Sequence, residues 1–202
     1  FSSSIAHPTS LACDAQGRLY VSDRFEGLVY RVHEDGSAET FASDLGVPCG
    51  LAFGPDGDLY VGDRTGTIFK VDPRGHARAF ATLPASVAAF HLAAGAQGIF
   101  VTAPTLSPSD AVYHISFDGD VSVYSRAFGR PQGLAIGPDE ALYVVDALAG
   151  ASGLYRVSGP DAVPELVLAG NELIGVAFDG FSLVVCTSDT AYRIHEYTSA
   201  AI

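Results

Sequence analysis

The 202-residue sequence has no methionine and no tryptophan, a single lysine (Lys70) and only three cysteines, Cys13, Cys49 and Cys186. Each shortage excludes something. Eleven Lys and Arg against 23 Asp and Glu leave a formal charge of −12. Nucleic-acid binding needs a basic footprint that releases counterions, so DNA, RNA and anionic membranes are excluded as partners. No run of 18 apolar residues exists, so no membrane span is expected. The start shows no signal-peptide pattern. The missing methionine includes the initiator, which implies a start that has been processed, cropped or permuted. Three cysteines without CxxC spacing form no disulfide framework; all three are expected to be small buried hydrophobes. They leave the compartment open, with a soluble, secreted or periplasmic location compatible.

What is present is an ample apolar fraction, 48%, and a repeat. "PTSLACDAQGRLYVSD" begins at Pro8, "PCGLAFGPDGDLYVGD" at Pro48 and "PQGLAIGPDEALYVVD" at Pro131. Weaker copies begin at Ala89 and Leu173. The aligned positions Leu11, Leu51, Leu92, Leu134 and Val176 are spaced by 40, 41, 42 and 42 residues. Each copy holds four short β-type runs, a to d, separated by turn signals such as Gly54-Pro55-Asp56-Gly57. In run b, Leu59 and Val61 face one way and Tyr60 the other, so both faces are apolar. Four antiparallel strands per repeat, buried on both faces, describe a blade of a β-propeller.

The predicted fold is therefore an all-β propeller in one domain. Its blades cover residues 8–43, 48–83, 88–127, 131–170, and 172–202 completed by 1–5. The five repeats make a five-bladed ring or part of a six-bladed one. In the first case the two chain ends together complete the last blade.

"GLAFGPDGDLYVGDRTGTIFKVDPRG" resembles an NHL-type repeat, and is similar to the repeats of the SMP-30/gluconolactonase and streptogramin-lyase-like propellers. The resemblance covers essentially the whole chain. It implies one of several activities: a calcium- or zinc-dependent lactonase, a lyase, or a non-enzymatic interaction domain. Fold alone does not choose among them.

Strand direction places the d–a links and the b–c loops on one face. The ligand-face candidates from the links are His7, Cys49, His91, Gln132, Asn171 and Glu172, with Asp23, Arg24, Asp63, Arg64 and Asp146 at the ends of run b. The b–c loops lengthen through "PTLSPSD" and "ALAGASG", as loops that handle a ligand do. In the lactonase-like propellers the resemblance implies one divalent ion over the channel, held by acidic, Asn and Asp side chains. The matching positions here are Thr9, Cys49, Phe90, Gln132 and Ile174, without a carboxylate. A lyase-like site needs a His and a Glu together, and His91 with Glu172 is the available pair.

Asp23, Asp63 and Asp146 recur at one step of the repeat, as structural positions do. Each carboxylate is expected to accept backbone N–H groups of its own b–c loop. The expected role is a non-catalytic scaffold that binds a protein or small-molecule ligand, cationic by the acidic balance. The alternative is a divalent-metal-dependent lactonase or hydrolase, or a streptogramin-lyase-like enzyme.

Overall fold

The computed structural model describes residues 5–148, 150–195 and 197. These residues hold 19 strands in five antiparallel sheets. Blade 1 is β1 (Pro8–Cys13), β2 (Leu19–Asp23), β3 (Leu28–Val32) and β4 (Ala38–Ala42). Blade 2 is β5 (Pro48–Phe53), β6 (Leu59–Asp63), β7 (Thr67–Val71) and β8 (Ala77–Thr82). Blade 3 is β9 (His91–Gly95), β10 (Gly98–Thr102), β11 (Asp110–Ile115) and β12 (Val121–Phe128). Blade 4 is β13 (Pro131–Ile136), β14 (Leu142–Asp146), β15 (Gly153–Val157) and β16 (Glu165–Ala169). Blade 5 shows β17 (Gly175–Asp179), β18 (Ser182–Cys186) and β19 (Ala191–Ile194). The fourth strand expected there, built from both chain ends, falls on residues 198–202 and 1–4, outside the described residues.

The fold is thus an all-β, five-bladed propeller with its blades in a ring. The register repeats with the sequence. Leu11 pairs with Val21, Leu51 with Val61, Leu92 with Val101, Leu134 with Val144 and Val176 with Val185. The innermost strands β1, β5, β9, β13 and β17 surround a channel of about 400 Å³.

The core is divided among joints between consecutive blades. Tyr20 and Val29 of blade 1 pack on Leu51, Leu59 and Val61 of blade 2. Tyr60 and Ile68 pack on Leu92, Ile99 and Val101. Phe100, Val112 and Phe128 pack on Leu134, Leu142 and Val144. Tyr143, Val145 and Leu154 pack on Leu183 and Val185. In each joint the aromatic of strand b reaches toward the following blade, while the leucine or isoleucine before it reaches back. Fully burying one such side chain contributes about 1.5–3 kcal/mol, so each joint is a small core of its own.

The turns on the face away from the links are held by their aspartates. Asp56 accepts hydrogen bonds from the Tyr60 hydroxyl at 3.0 Å and from Lys70 Nζ at 2.6 Å. Asp139 does the same for Tyr143, at 3.3 Å, and Arg156 Nε, at 2.7 Å. These pairs tie strands b and c to the a–b turn. The c–d turns meet the preceding blade so closely that a Cβ on Gly75, at φ +85°, would lie 2.0 Å from the Phe41 carbonyl oxygen.

The cysteines correct an expectation. Cys49 is buried, Cys186 is half-buried and Cys13 is exposed. Cys13 occupies the step filled by Phe53, Ile136 and Phe178 in other blades, each packed against the blade before it. The described residues place no such cover over Cys13.

Candidate functional site

Strand order brings the d–a links and the b–c loops together on one face, and the buried aspartates fasten them. Asp23 accepts the His7 N–H at 3.0 Å from the link, and the Phe25 and Glu26 N–H groups at 2.9 and 3.1 Å from its own loop. Burial pushes the Asp23 pKa up, but these three donors outweigh it and hold the carboxyl below its ordinary range. Asp146 accepts Gly129 and Arg130 N–H at 2.9 and 2.7 Å from the link, and Leu148 N–H at 3.1 Å from the loop. Asp63 differs from the expected pattern. Its backbone donor is Val47 N–H of the link, at 2.8 Å, and its own loop supplies the Thr65 hydroxyl. The carboxylates therefore join link to loop, a contact between segments 16 or more residues apart that local turn chemistry does not anticipate. Blade 3 has Ala103 at this step, and Asp110 at the start of β11 holds the Thr105 N–H and hydroxyl instead, at 3.0 and 2.6 Å.

Asp63 and Arg64 are adjacent but do not pair. The Arg64 guanidinium donates to the Val87 carbonyl of blade 3 at 2.7 Å, and Ser86 N–H donates to the Arg64 carbonyl at 3.1 Å. Arg64 thus ties the b–c loop of one blade to the link of the next.

The other candidates separate. His7 is exposed and lies against Phe25, ring centroids 5.0 Å apart. Cys49 is buried, its Sγ donating to the Val47 carbonyl at 3.2 Å, and burial pushes its thiol pKa up. Gln132 offers its main-chain carbonyl to Thr102 Oγ1 at 2.6 Å. Asn171 and Glu172 are exposed, Glu172 at φ 61°, and neither lines the channel. The fold therefore does not bring Glu172 to His91 across the channel wall.

His91 is the candidate that reaches the channel. It is the one ionisable residue among those lining it. The other lining residues are apolar or small, from Ser10 and Leu11 round to Val176 and Phe178. Its imidazole makes no hydrogen bond to another described residue, and no buried side-chain N or O atom is left unsatisfied. The ring nitrogens therefore open onto the channel. Burial without a neighbouring charge pushes its pKa down to about 4. At neutral pH the ring is uncharged, with a free lone pair that accepts a proton or a hydrogen bond.

A sequence signal for this residue exists. One step before the repeat leucine stand Ser10, Gly50, His91, Gly133 and Gly175. Four copies hold a hydroxyl or hydrogen there because the inner strands approach closely: a Cβ on Gly50 would lie 2.5 Å from the Phe90 carbonyl oxygen. Only blade 3 places a large polar side chain at that step.

A divalent ion does not fit these residues. At the link positions that the sequence resemblance matches to an ion site stand Thr9, the buried Cys49 thiol, Phe90, Gln132 and Ile174. No three His, Cys, Asp or Glu side chains converge among the described residues. Calcium and zinc need several converging charged or strongly donating groups. The carboxylates Asp23 and Asp146 already spend both oxygens on main-chain N–H groups, and Asp63 spends its pair on the Val47 N–H and the Thr65 hydroxyl.

No family model and no curated protein matches the chain. Solved structures do. A gluconolactonase from Xanthomonas campestris superposes with a TM-score of 0.76 at 19% identity, over 96% of this chain and 74% of that one. Virginiamycin B lyase from Staphylococcus aureus superposes at 0.69 and 17% identity, over 93% and 69%. A streptogramin B lyase gives 0.71 and 16% identity, over 92% and 64%. At these identities the likeness is one of fold, and it includes two kinds of enzyme.

Proposed function

We propose that the propeller is the scaffold of an enzyme of hydrolase or lyase type. It takes a small, mainly apolar molecule at the link-and-loop end of the channel, and His91 exchanges a proton with it. The observation that carries this reading is the neutral, unpartnered imidazole on an otherwise apolar channel wall. The folds of a gluconolactonase and of streptogramin lyases support a catalytic use of the scaffold. The donor chemistry favours proton transfer by a side chain over the ion-dependent route of lactonases, so no step is assigned to calcium or zinc. As general base, His91 would take a proton from the substrate or from an attacking water and return it to the leaving oxygen.

The test is turnover of a panel of sugar lactones and of quinupristin, with and without EDTA. Activity that survives EDTA and is lost in His91→Gln, with unchanged unfolding midpoint, supports the reading. Full activity in His91→Gln overturns it.

A second reading is favoured by a separate observation. Phe25, Leu106, Leu148 and Val87 are exposed on the loops and links of the same face. With the NHL-type cast of the repeat and the charge of −12, this crown suits a cationic, partly apolar protein partner bound without turnover. Its distinguishing result is a partner whose binding is lost in Leu106→Asp with Phe25→Asp, in a chain that turns over nothing on the panel.

A further inference from the structure

Blade 3 departs from its neighbours on the face of the a–b and c–d turns. In blades 1, 2 and 4 the strand-b aromatic is Tyr20, Tyr60 or Tyr143, and an aspartate of the a–b turn, Asp14, Asp56 or Asp139, accepts its hydroxyl. Blade 3 has Phe100 at that step, and its tight hairpin, Ala96-Gln97, carries no carboxylate. The strand-d aromatic sits at the bulge between strands c and d: Phe41 in blade 1, Phe80 in blade 2 and Tyr124 in blade 3. The hydroxyl has thus moved from strand b to strand d. Phe100 and Tyr124 still pack edge to face, ring centroids 4.9 Å apart. The turn that should cover them differs as well. In the joint of blades 2 and 3, Phe117 of the following blade lies over Tyr60, ring centroids 6.3 Å apart. Phe117 stands two residues past β11; the residue two past β15 in blade 4 is Gly159. Nothing lies within 4 Å of the place a Cβ on Gly159 would take. A cavity of about 310 Å³ stands there, with Phe100, Tyr124, Ile136 and Pro160 among its walls and the exposed Glu140 at its rim.

We propose that this cavity binds a small aromatic molecule carrying a cationic amine, its ring taking the place that Phe117 fills one joint earlier. The walls are aromatic and aliphatic, which suits a flat ring. A benzene-sized ring needs about 150 Å³, so a short side chain fits beside it. The Tyr124 hydroxyl makes no hydrogen bond to another described residue, and no buried side-chain N or O is left unsatisfied, so it opens onto the cavity. Burial pushes its pKa up, which keeps it a neutral phenol able to donate or accept. Glu140 supplies the charge. The neighbouring Arg156 is engaged by Asp139 and Glu165 and leaves that carboxylate to the cavity. Glu140 also holds φ +62°, at the turn step that Gly17 and Gly57 fill at +75° and +82°. A side chain is strained there, so the acidic group is kept against the preference of the turn. The formal charge of −12 favours the same sign of ligand. The site lies on the face away from the links and does not involve His91.

The test is a two-dimensional NMR titration of the full chain with 2-phenylethylamine, and with phenylacetate and butylamine alongside. The main-chain amides of Gly95, Gln97 and Gly159 should shift along one saturable curve with its midpoint below about 10 mM, the limit for a weakly efficient ligand of this size. Phenylacetate, with the charge reversed, and butylamine, without the ring, should each bind at least about tenfold more weakly. Gly159→Phe places a ring in the cavity from within the chain, so binding is lost while the unfolding midpoint holds or rises. Tyr124→Phe weakens binding about three- to tenfold, as the loss of one hydrogen bond does. Glu140→Gly restores the residue that the turn prefers: the midpoint rises, and the preference for the amine over phenylacetate disappears. His91→Gln should bind 2-phenylethylamine as the unaltered chain does, which separates this site from the channel. The proposal is overturned if those amides show no saturable shift, if phenylacetate or butylamine binds as tightly as 2-phenylethylamine, or if folded Gly159→Phe binds unchanged.

Discussion

Replacing Asp146 by alanine tests whether the link-to-loop bonds hold the ligand face together. The carboxylate is buried and accepts three main-chain N–H groups, from Gly129, Arg130 and Leu148, at 2.7 to 3.1 Å. Alanine leaves all three donors without a partner. A hydrogen bond to a charged group contributes about 1.5–3 kcal/mol net, but partial solvation of the opened loop recovers some of it, so the expected loss is about 3–5 kcal/mol. Asp63 has one main-chain donor, Val47, and the Thr65 hydroxyl, which can turn to water. Asp63→Ala should therefore cost less, about 1–2 kcal/mol. The assay is urea unfolding of the two variants and of Asp146→Asn, whose single carbonyl oxygen should place it between wild type and alanine. The slope of free energy against urea should stay constant. The decisive quantity is the order of the two alanine variants. Equal losses, or a loss at Asp146 below about 1 kcal/mol, would show that the donors find other partners and that the carboxylate is not what joins link to loop.

Two further predictions concern packing and pH. Gly75→Ala drives a Cβ into the Phe41 carbonyl at a blade joint, whereas Gly57, at a similar positive φ of +82°, has nothing within 4 Å of its Cβ position. Gly57→Ala should cost only the left-handed backbone strain of about 1–2 kcal/mol, and Gly75→Ala clearly more, read as the difference between their thermal midpoints; equal shifts would mean that blades 1 and 2 separate freely there. His91 binds a proton near pH 6.5 when unfolded and near 4 when folded. Between those values the unfolded chain holds more protons, so stability is constant above pH 6.5 and falls as pH drops toward 4. Because the ring nitrogens open onto the channel, the full linkage figure of about 3 kcal/mol is an upper bound on the loss by pH 4. His91→Gln should remove that part of the acid limb, measured as urea midpoint against pH, and an identical limb would place the imidazole in solvent.

The sequence by itself determined the blade. A leucine recurring every 40 to 42 residues, with aromatic and aliphatic residues on opposite faces of strand b, has one packed solution, because each face must meet another sheet. The recurrence of the strand-b Asp was legible in the sequence, and a local turn rule anticipates the Phe25, Glu26 and Leu148 N–H groups that Asp23 and Asp146 hold. What lay beyond reach were contacts between segments that no local rule connects. The Val47 N–H that Asp63 holds and the Val87 carbonyl that Arg64 reaches are set by how strands and blades lie against one another. His91 and Glu172 both belong to links on one face, yet His91 opens onto the channel and Glu172 is exposed outside its lining. The tertiary structure also decided that Leu11, the same residue as Leu51 in the same phrase, stands uncovered. Burial belongs to the neighbour as much as to the residue, and the neighbour of blade 1 is not written in blade 1.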